Sequence, residues 1–355
     1  GEMLPDGHER PVVHGADLLA PQAHNDLLEA DLIVDATDDS GVVAYEYRWN
    51  SGEVFESPVA SPVVSYETLK PTTLALLQVR AVDDHGFRSD WHGTWSGITP
   101  SAPNVIVAGD SVASGYSRQW FTQESTCVDE YYSYGSSLVN GIAGSLPTAW
   151  EPTYANVAFP GAGVGNVLQG GSDSCSDGYP SQVDSIIELA EPGTWNVVVV
   201  TAGINSTNWV DVITELTKDT AFSLFDSGDK KACQAAVSED WDLPQKANHI
   251  TGTAAKVVDE LTTRTNASIY WTSYYQLAGS TIVGGWSPIG PECEDEMNDA
   301  LGQLHTAIRA GLTDDVTWVD LGSEPVSLQK WAGWPHPNPE GHSAIGSEIA
   351  DVIVG

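Results

Sequence analysis

The chain has 355 residues, 41% of them hydrophobic and 9% aromatic, which is enough to bury a core and too apolar for a disordered segment. Lys and Arg number 14 against 49 Asp and Glu, and the net charge of -35 repels phosphate backbones and argues against nucleic acid as a partner. No apolar run of about 18 residues occurs, so no membrane span is expected.

The chain opens "GEMLPDGHERP", with no charged stretch leading into an apolar one; a secretory leader is either absent or already removed. Residues 1–100 read as β. "GVVAYEYRWN" alternates, is rich in β-branched and aromatic residues, and runs into the turn "NSGE". "LALLQVRAVDDHGFRSDW" reads as a strand, a turn at "DDHG" and a return strand. "ADLLAPQAHNDLLEADL" is ambiguous, and no helix is expected between Asp31 and Thr99. "ITPSAPN", with two prolines and no periodicity, reads as a linker. Two domains are expected: a small all-β sandwich over 1–100 and a larger domain over 101–355.

From Asn104 the rhythm changes. Apolar runs at "NVIVAG", "YANVAF", "WNVVVVTAG", "ASIYWTSYY" and "DVTWVDLG" alternate with helical segments. The helical segments are "SQVDSIIELA", "LPQKANHITGTAAKVVDELTTRT", "EDEMNDALGQLHTAIRAGL" and "NPEGHSAIGSEIADVIV". Continuous apolar strands between helices predict an α/β fold: a parallel sheet covered on both faces, in three layers. Ligands of such open sheets bind outside the carboxyl ends of the strands.

Ser111 stands there, just past "NVIVAG". A nucleophilic serine needs a base, oxyanion donors and a group that orients the base. After the second strand, "NVAFPGAG" brings Gly161, whose N–H approaches a ligand without a Cβ in the way. After the third, "TAGINST" brings Asn205 and its side-chain NH2. Near the end, "WAGWPHPNPEGH" holds His336 between two prolines, which fix the backbone on both sides. Trp331 and Trp334 beside it are candidates for lining an acyl or sugar pocket, or equally for core packing. Ser114 and Ser117 lie further from the strand end, and His342 falls inside the last helix, where packing is expected. "DATDDSG" and "ECEDEMND" lack the spacing of a calcium loop and read as solvated acidic loops.

These four segments together resemble the SGNH (GDSL-type) hydrolase family over residues 104–355. Its GDS block matches "GDSVASG", its Asn-x-Ala-x-x-Gly-like block "NVAFPGA", its Gly-x-Asn-Asp block "GINS", and its Asp-x-x-His-Pro block "GWPHP". The resemblance implies a flavodoxin-like three-layer fold and attack of Ser111 on an ester carbonyl. His336 would act as general base and then acid, with an oxyanion hole of the Ser111 N–H, the Gly161 N–H and the Asn205 side chain. Two positions depart from the pattern. Gly333 stands where the family's acid belongs, and Ser206 replaces the Asp after Asn205. Some secreted actinobacterial esterases of this family orient the histidine with a main-chain carbonyl, so the Gly333 carbonyl is the expected acceptor, with Asp320 or Glu324 as a carboxylate alternative. In the first domain, "VRAVDDHGFRS" resembles the late strands of a fibronectin type III or immunoglobulin-like sandwich.

The four cysteines form no CxxC motif. Cys127–Cys175 and Cys233–Cys293 are the favoured pairs of three pairings, since each closes a loop within one region; four separate buried thiols are the alternative. The cysteine positions also fit the secreted branch of the family. Disulfides place a protein outside the cytosol. The acidic surface is eased where the Debye length falls to about 3 Å, at 1 M salt, so a salty habitat is expected, against an ordinary acidic secreted protein. The expected protein is a secreted, monomeric ester hydrolase with no metal or organic cofactor, acting on acyl, lipid or acetyl-carbohydrate esters. The rival is a glycan-binding protein on a catalytically silent hydrolase fold.

Overall fold

The structure, a computed structural model, describes residues 9–24, 27–60, 62–67, 75–96, 102–118, 125–126, 133–145, 151–172, 178–191, 194–212, 237, 241–276, 282–283, 294–322, 326–329 and 335–354. The chain divides into two compact units. The first comprises 1–103 with 146–151 and 191–195; the second comprises 104–145, 152–190 and 196–355.

The first unit carries β1 (Val12–His24), β2 (Leu27–Thr37), β3 (Val42–Trp49), β4 (Phe55–Pro58), β5 (Val63–Glu67), β6 (Ala75–Asp83) and β7 (His92–Ser96). They form two antiparallel sheets, in the orders β1-β2-β5 and β4-β3-β6-β7. The two-residue period of a strand sends Tyr45, Tyr47 and Trp49 of β3 to one face. There they join Leu77, Val79 and Ala81 of β6 and Ala30, Leu32 and Val64 of the other sheet in one buried cluster. Hydrogen bonds link the sheets: Trp49 Nε1 donates to the Ser65 carbonyl at 2.6 Å, the Ser65 N–H donates to the Tyr47 hydroxyl at 3.2 Å, and the Val63 N–H donates to Ser57 Oγ at 2.9 Å.

The ambiguous segment is the β1–β2 hairpin. Leu18 pairs with Leu32 and Ala16 with Val34 across it. Pro21 falls in a register shift between Leu19 and Gln22, the kind of place where a strand tolerates a residue without an N–H. Buried Glu46 is held by two arginines, Arg80 Nε at 2.6 Å and Arg88 Nε at 3.0 Å. Burial alone would raise its carboxyl, but the hydrogen bonds from Arg88 and Arg80 bring it below the ordinary value.

The second unit carries β8 (Asn104–Gly109), α1 (Ser111–Ser114), α2 (Tyr134–Ser145), β9 (Thr153–Asn156), α3 (Val164–Gln169), α4 (Gln182–Leu189), β10 (Asn196–Thr201), α5 (Leu243–Arg264), β11 (Ser268–Thr272), α6 (Glu294–Arg309), β12 (Val316–Val319) and α7 (Pro339–Val354). Five strands make one parallel sheet in the order β9-β8-β10-β11-β12. Helices flank it to give a three-layer α/β sandwich: α2 packs on α7, while α5 packs on α3, α4 and α6. All six residues of β10 are buried, as a central strand covered on both faces requires. The winding reverses between β8 and β10, which pair from Asn104–Asn196 to Gly109–Thr201. In doubly wound sheets that reversal opens a crevice at the carboxyl ends. Among the described residues no helix is long and apolar enough to cross a membrane.

Candidate active site

Gly109 ends β8 at the reversal. Its φ is +130°, and a Cβ there would lie 1.9 Å from the Thr201 carbonyl oxygen, so only glycine fits. Its backbone is clasped by the buried side chain of Gln182 on α4. The Gly109 N–H donates to Gln182 Oε1 at 2.7 Å, and Gln182 Nε2 donates back to the Gly109 carbonyl at 2.9 Å. Asp110 follows as the N-cap of α1, its Oδ1 accepting the Val112 N–H at 2.9 Å. Ser111 is therefore the first residue of a short helix at the sheet edge. Gly115 closes that helix in the left-handed region at φ 75°. The Ala113 carbonyl near its end accepts from Ser133 Oγ at 2.8 Å and Asn156 Nδ2 at 2.9 Å.

His336 reaches this turn from the far end of the sequence. Its Nε2 lies 2.8 Å from Ser111 Oγ, across 225 positions of chain. Its loop is tied down at several points. The His336 carbonyl accepts the Gln329 N–H at 2.7 Å, and the Pro335 carbonyl accepts the Tyr275 hydroxyl at 2.9 Å. Gln329 Nε2 donates to the carbonyls of Tyr116 and Pro337, both at 3.0 Å. Asn338 caps α7: its Oδ1 accepts the Gly341 N–H at 2.8 Å, and its Nδ2 donates to Ser327 Oγ at 2.6 Å. The Tyr116 ring sits 4.9 Å from the imidazole, centroid to centroid. With the proton on Nδ1, Nε2 is free to take the serine proton.

The other two loops meet each other past the ends of their strands. The Phe159 N–H donates to the Gly109 carbonyl at 3.1 Å, which seats the β9 loop against the end of β8. Gly161 follows with φ +78°. Asn205 lies in a 3-10 turn, Ile204–Ser206, directly past β10, with its Nδ2 3.5 Å from the Ala162 carbonyl. Ser206 joins the two loops: its Oγ accepts the Val164 N–H, the first of α3, at 2.9 Å. A hydroxyl thus serves as the helix-start acceptor.

Asp110 is fully buried, and its carboxyl is pushed up to about 7 by burial, against hydrogen bonds from the Tyr274 hydroxyl and the Val112 N–H that pull it down. Tyr274 donates to Asp110 Oδ2 at 2.5 Å and accepts the Ile204 N–H at 3.1 Å. Burial first, and the Asp110 charge second, push its phenol well up. His305 accepts the Tyr274 N–H on Nε2 at 3.0 Å, and burial holds its imidazole down at about 4.

Asp320 directs its hydrogen bonds elsewhere than to His336: its Oδ1 accepts from Ser273 Oγ at 3.3 Å and from the Gly322 N–H at 2.9 Å. Ser114 is fully buried, and its Oγ bonds the Ser111 carbonyl at 3.3 Å. His342 packs inside α7, where burial holds it down at about 3, so it is neutral. Gly333, Trp331, Trp334, Glu324 and all four cysteines lie outside the described residues. Among the described residues, Asp83, Asp84 and His85 gather potential metal-ligating atoms within 4.8 Å. Asp83 has a structural task there, its Oδ1 closing the turn by accepting the His85 and Phe87 N–H groups at 2.9 and 2.8 Å.

Sequence reading missed Gln182, Tyr274, Asn338 and Gln329. Gln182 carried a signal, a polar residue at a buried position of an amphipathic helix. Tyr274 carried another, its place just past a strand end.

No protein-family model matches the chain, and no curated protein sequence matches it. Solved structures do. It is similar to an extracellular lipase from Streptomyces rimosus, at 16% identity and a TM-score of 0.47, over 71% of this chain and 99% of that one. It is similar to a phospholipase A1 from Streptomyces albidoflavus, at 16% identity and a TM-score of 0.46, with the same coverage. A carbohydrate acetylesterase from Sinorhizobium meliloti aligns at 11% identity and a TM-score of 0.36, over 70% of this chain and 98% of that one. With likenesses this distant, the chemistry rests on the side-chain geometry.

Proposed function

We propose that the chain is a secreted serine ester hydrolase of the SGNH (GDSL-type) pattern. The observation that carries this reading is the 2.8 Å contact between His336 Nε2 and Ser111 Oγ at the carboxyl edge of a parallel sheet. A bare serine hydroxyl is a weak nucleophile at neutral pH, and an adjacent imidazole that accepts its proton makes it a strong one. Ser111 Oγ attacks the ester carbonyl carbon as His336 Nε2 takes its proton. The carbonyl oxygen becomes an oxyanion, held by the Ser111 N–H, the Gly161 N–H and the Asn205 side chain. The imidazolium returns the proton to the departing alcohol and leaves an acyl-Ser111. Water activated by the same nitrogen then releases the acid. The reaction needs no metal or organic cofactor.

The Gly333 carbonyl is the proposed acceptor for His336 Nδ1–H. That makes the site a Ser–His dyad, and the hydrogen bonds of Asp320 to Ser273 and Gly322 agree with this choice. Cys127–Cys175 and Cys233–Cys293 are the proposed disulfides, in keeping with export. The first unit is proposed as a fibronectin III-like spacer or accessory binding module, and the chain as a monomer. The substrates are acyl or acetyl-carbohydrate esters.

The test is turnover of p-nitrophenyl acetate and butyrate in high salt by wild type, Ser111→Ala and His336→Ala, with a fluorophosphonate label located by mass spectrometry. Hydrolysis is expected in the wild type, with the label on Ser111 and activity lost in both variants. Undiminished turnover by Ser111→Ala sinks the reading. A wild type inert towards simple esters and acetylated sugars, and unlabelled, favours the glycan-binding alternative.

A further inference from the structure

We infer that Tyr274 is a positioning residue whose hydroxyl fastens the nucleophile's turn to the turn that carries Asn205. The inference rests on the ester-hydrolase reading and adds a residue that no motif of the site contains.

The link is a three-part chain. The Ile204 N–H donates to the Tyr274 oxygen at 3.1 Å, and the Tyr274 O–H donates to Asp110 Oδ2 at 2.5 Å. The other oxygen of that carboxyl group accepts the Val112 N–H at 2.9 Å. Ile204 is the neighbour of Asn205, and Asp110 and Val112 flank Ser111. One phenol therefore stands between the turn that presents the attacking oxygen and the turn that presents an oxyanion donor. Only a group that donates and accepts at one atom closes this chain.

Each end needs the phenol. The 3-10 turn at Ile204 begins at Gly203, which offers no side chain to cap its N–H. Asp110 Oδ2 lies in a fully buried residue, where a lost donor is not replaced by water. Among the described residues, the ionisable groups that face Asp110 are phenols: Tyr274 and its neighbour Tyr275 from the β11 loop, and Tyr134 from α2. Burial keeps all three in their protonated, donating form. Tyr274 is itself held rigidly. Its N–H is bound by His305, and its ring stacks on that imidazole at 6.2 Å with 12° between the planes. A strut fixed at its base transmits position, and catalytic groups have to be held within about 0.5 Å of the productive geometry.

The experiment is a double-mutant cycle of Tyr274→Phe and Asn205→Ala, read as kcat and KM on p-nitrophenyl butyrate. Tyr274→Phe alone is expected to lower kcat about 10- to 100-fold while KM stays within about twofold. In the Asn205→Ala background the same change is expected to lower kcat by less than about threefold, because the donor that the strut positions is gone. A full-sized loss in that background, or an unchanged kcat in Tyr274→Phe, overturns the inference. Thermal melts check that each variant folds. If Tyr274→Phe does not fold, Asp110→Ser keeps an N-cap oxygen for the Val112 N–H, removes the oxygen that accepts the Tyr274 O–H, and has to give the same sub-additive pattern, with additivity again refuting. Failure of the parent reading looks different: wild-type turnover is then absent or survives Ser111→Ala.

Discussion

Replacing Asp110 by asparagine tests the electrostatics of the site through stability. Full burial lifts this carboxyl from 3.8 to about 7. One pKa unit corresponds to about 1.4 kcal/mol, so ionising Asp110 in the folded protein costs about 4 kcal/mol more than in the unfolded chain. The sign follows from proton counting. Below pH 3.8 both states hold the proton and the group contributes nothing. Between pH 3.8 and about 7 the unfolded chain releases the proton while the folded protein keeps it, so stability falls as pH rises. Above about 7 the full cost is present. Asparagine is neutral throughout. Urea unfolding of both proteins at about 1 M salt, from pH 4.5 to 8.5, gives the difference in stability, and the repulsion among the other acidic groups cancels in it. The wild type is expected to lose about 3–4 kcal/mol relative to Asp110→Asn across that range. A difference that is flat with pH, or that grows in favour of the wild type, refutes the buried-charge account.

Three further outcomes follow from the same contacts. Gln182→Leu leaves the buried Gly109 N–H without an acceptor and removes the second bond to its carbonyl, so a loss of about 2–4 kcal/mol is expected in urea melts, with reduced esterase kcat. Ser206→Ala removes the acceptor of the Val164 N–H; a loss of about 1 kcal/mol is expected, and a kcat falling alongside it would place the junction of the two loops in the reacting geometry, whereas an unchanged kcat would not. The net charge of -35 predicts an unfolding midpoint that climbs as salt rises from about 0.1 to 2 M, and a flat curve would reject the salty-habitat expectation.

Much of the second unit was legible in the sequence. Strands buried on both faces read as continuous apolar runs, and all five predicted runs occupy the parallel sheet. Ser111 and His336 stood out in the sequence because their neighbours mark them, a strand ending in glycine for one and flanking prolines for the other, and the structure sets their side chains 2.8 Å apart. The β1–β2 hairpin was not legible, because its leucines satisfy a helical and an extended spacing alike, and pairing with another strand decides between them. Ser206 departs from a family pattern but was expected to keep a hydrogen bond to the loop, and it accepts the Val164 N–H; which loop supplies that partner was not legible.

Sequence by itself determined the five strands of the parallel sheet, because burial on both faces leaves a continuous apolar run whatever the partner. Tertiary structure alone decided what holds the loops past their ends in register. Gln182 finds Gly109 across 73 positions, and Tyr274 finds Asp110 across 164. A hydrogen bond depends on distance and direction in space, and no local pattern records which buried donor will meet which acceptor once the sheet has closed.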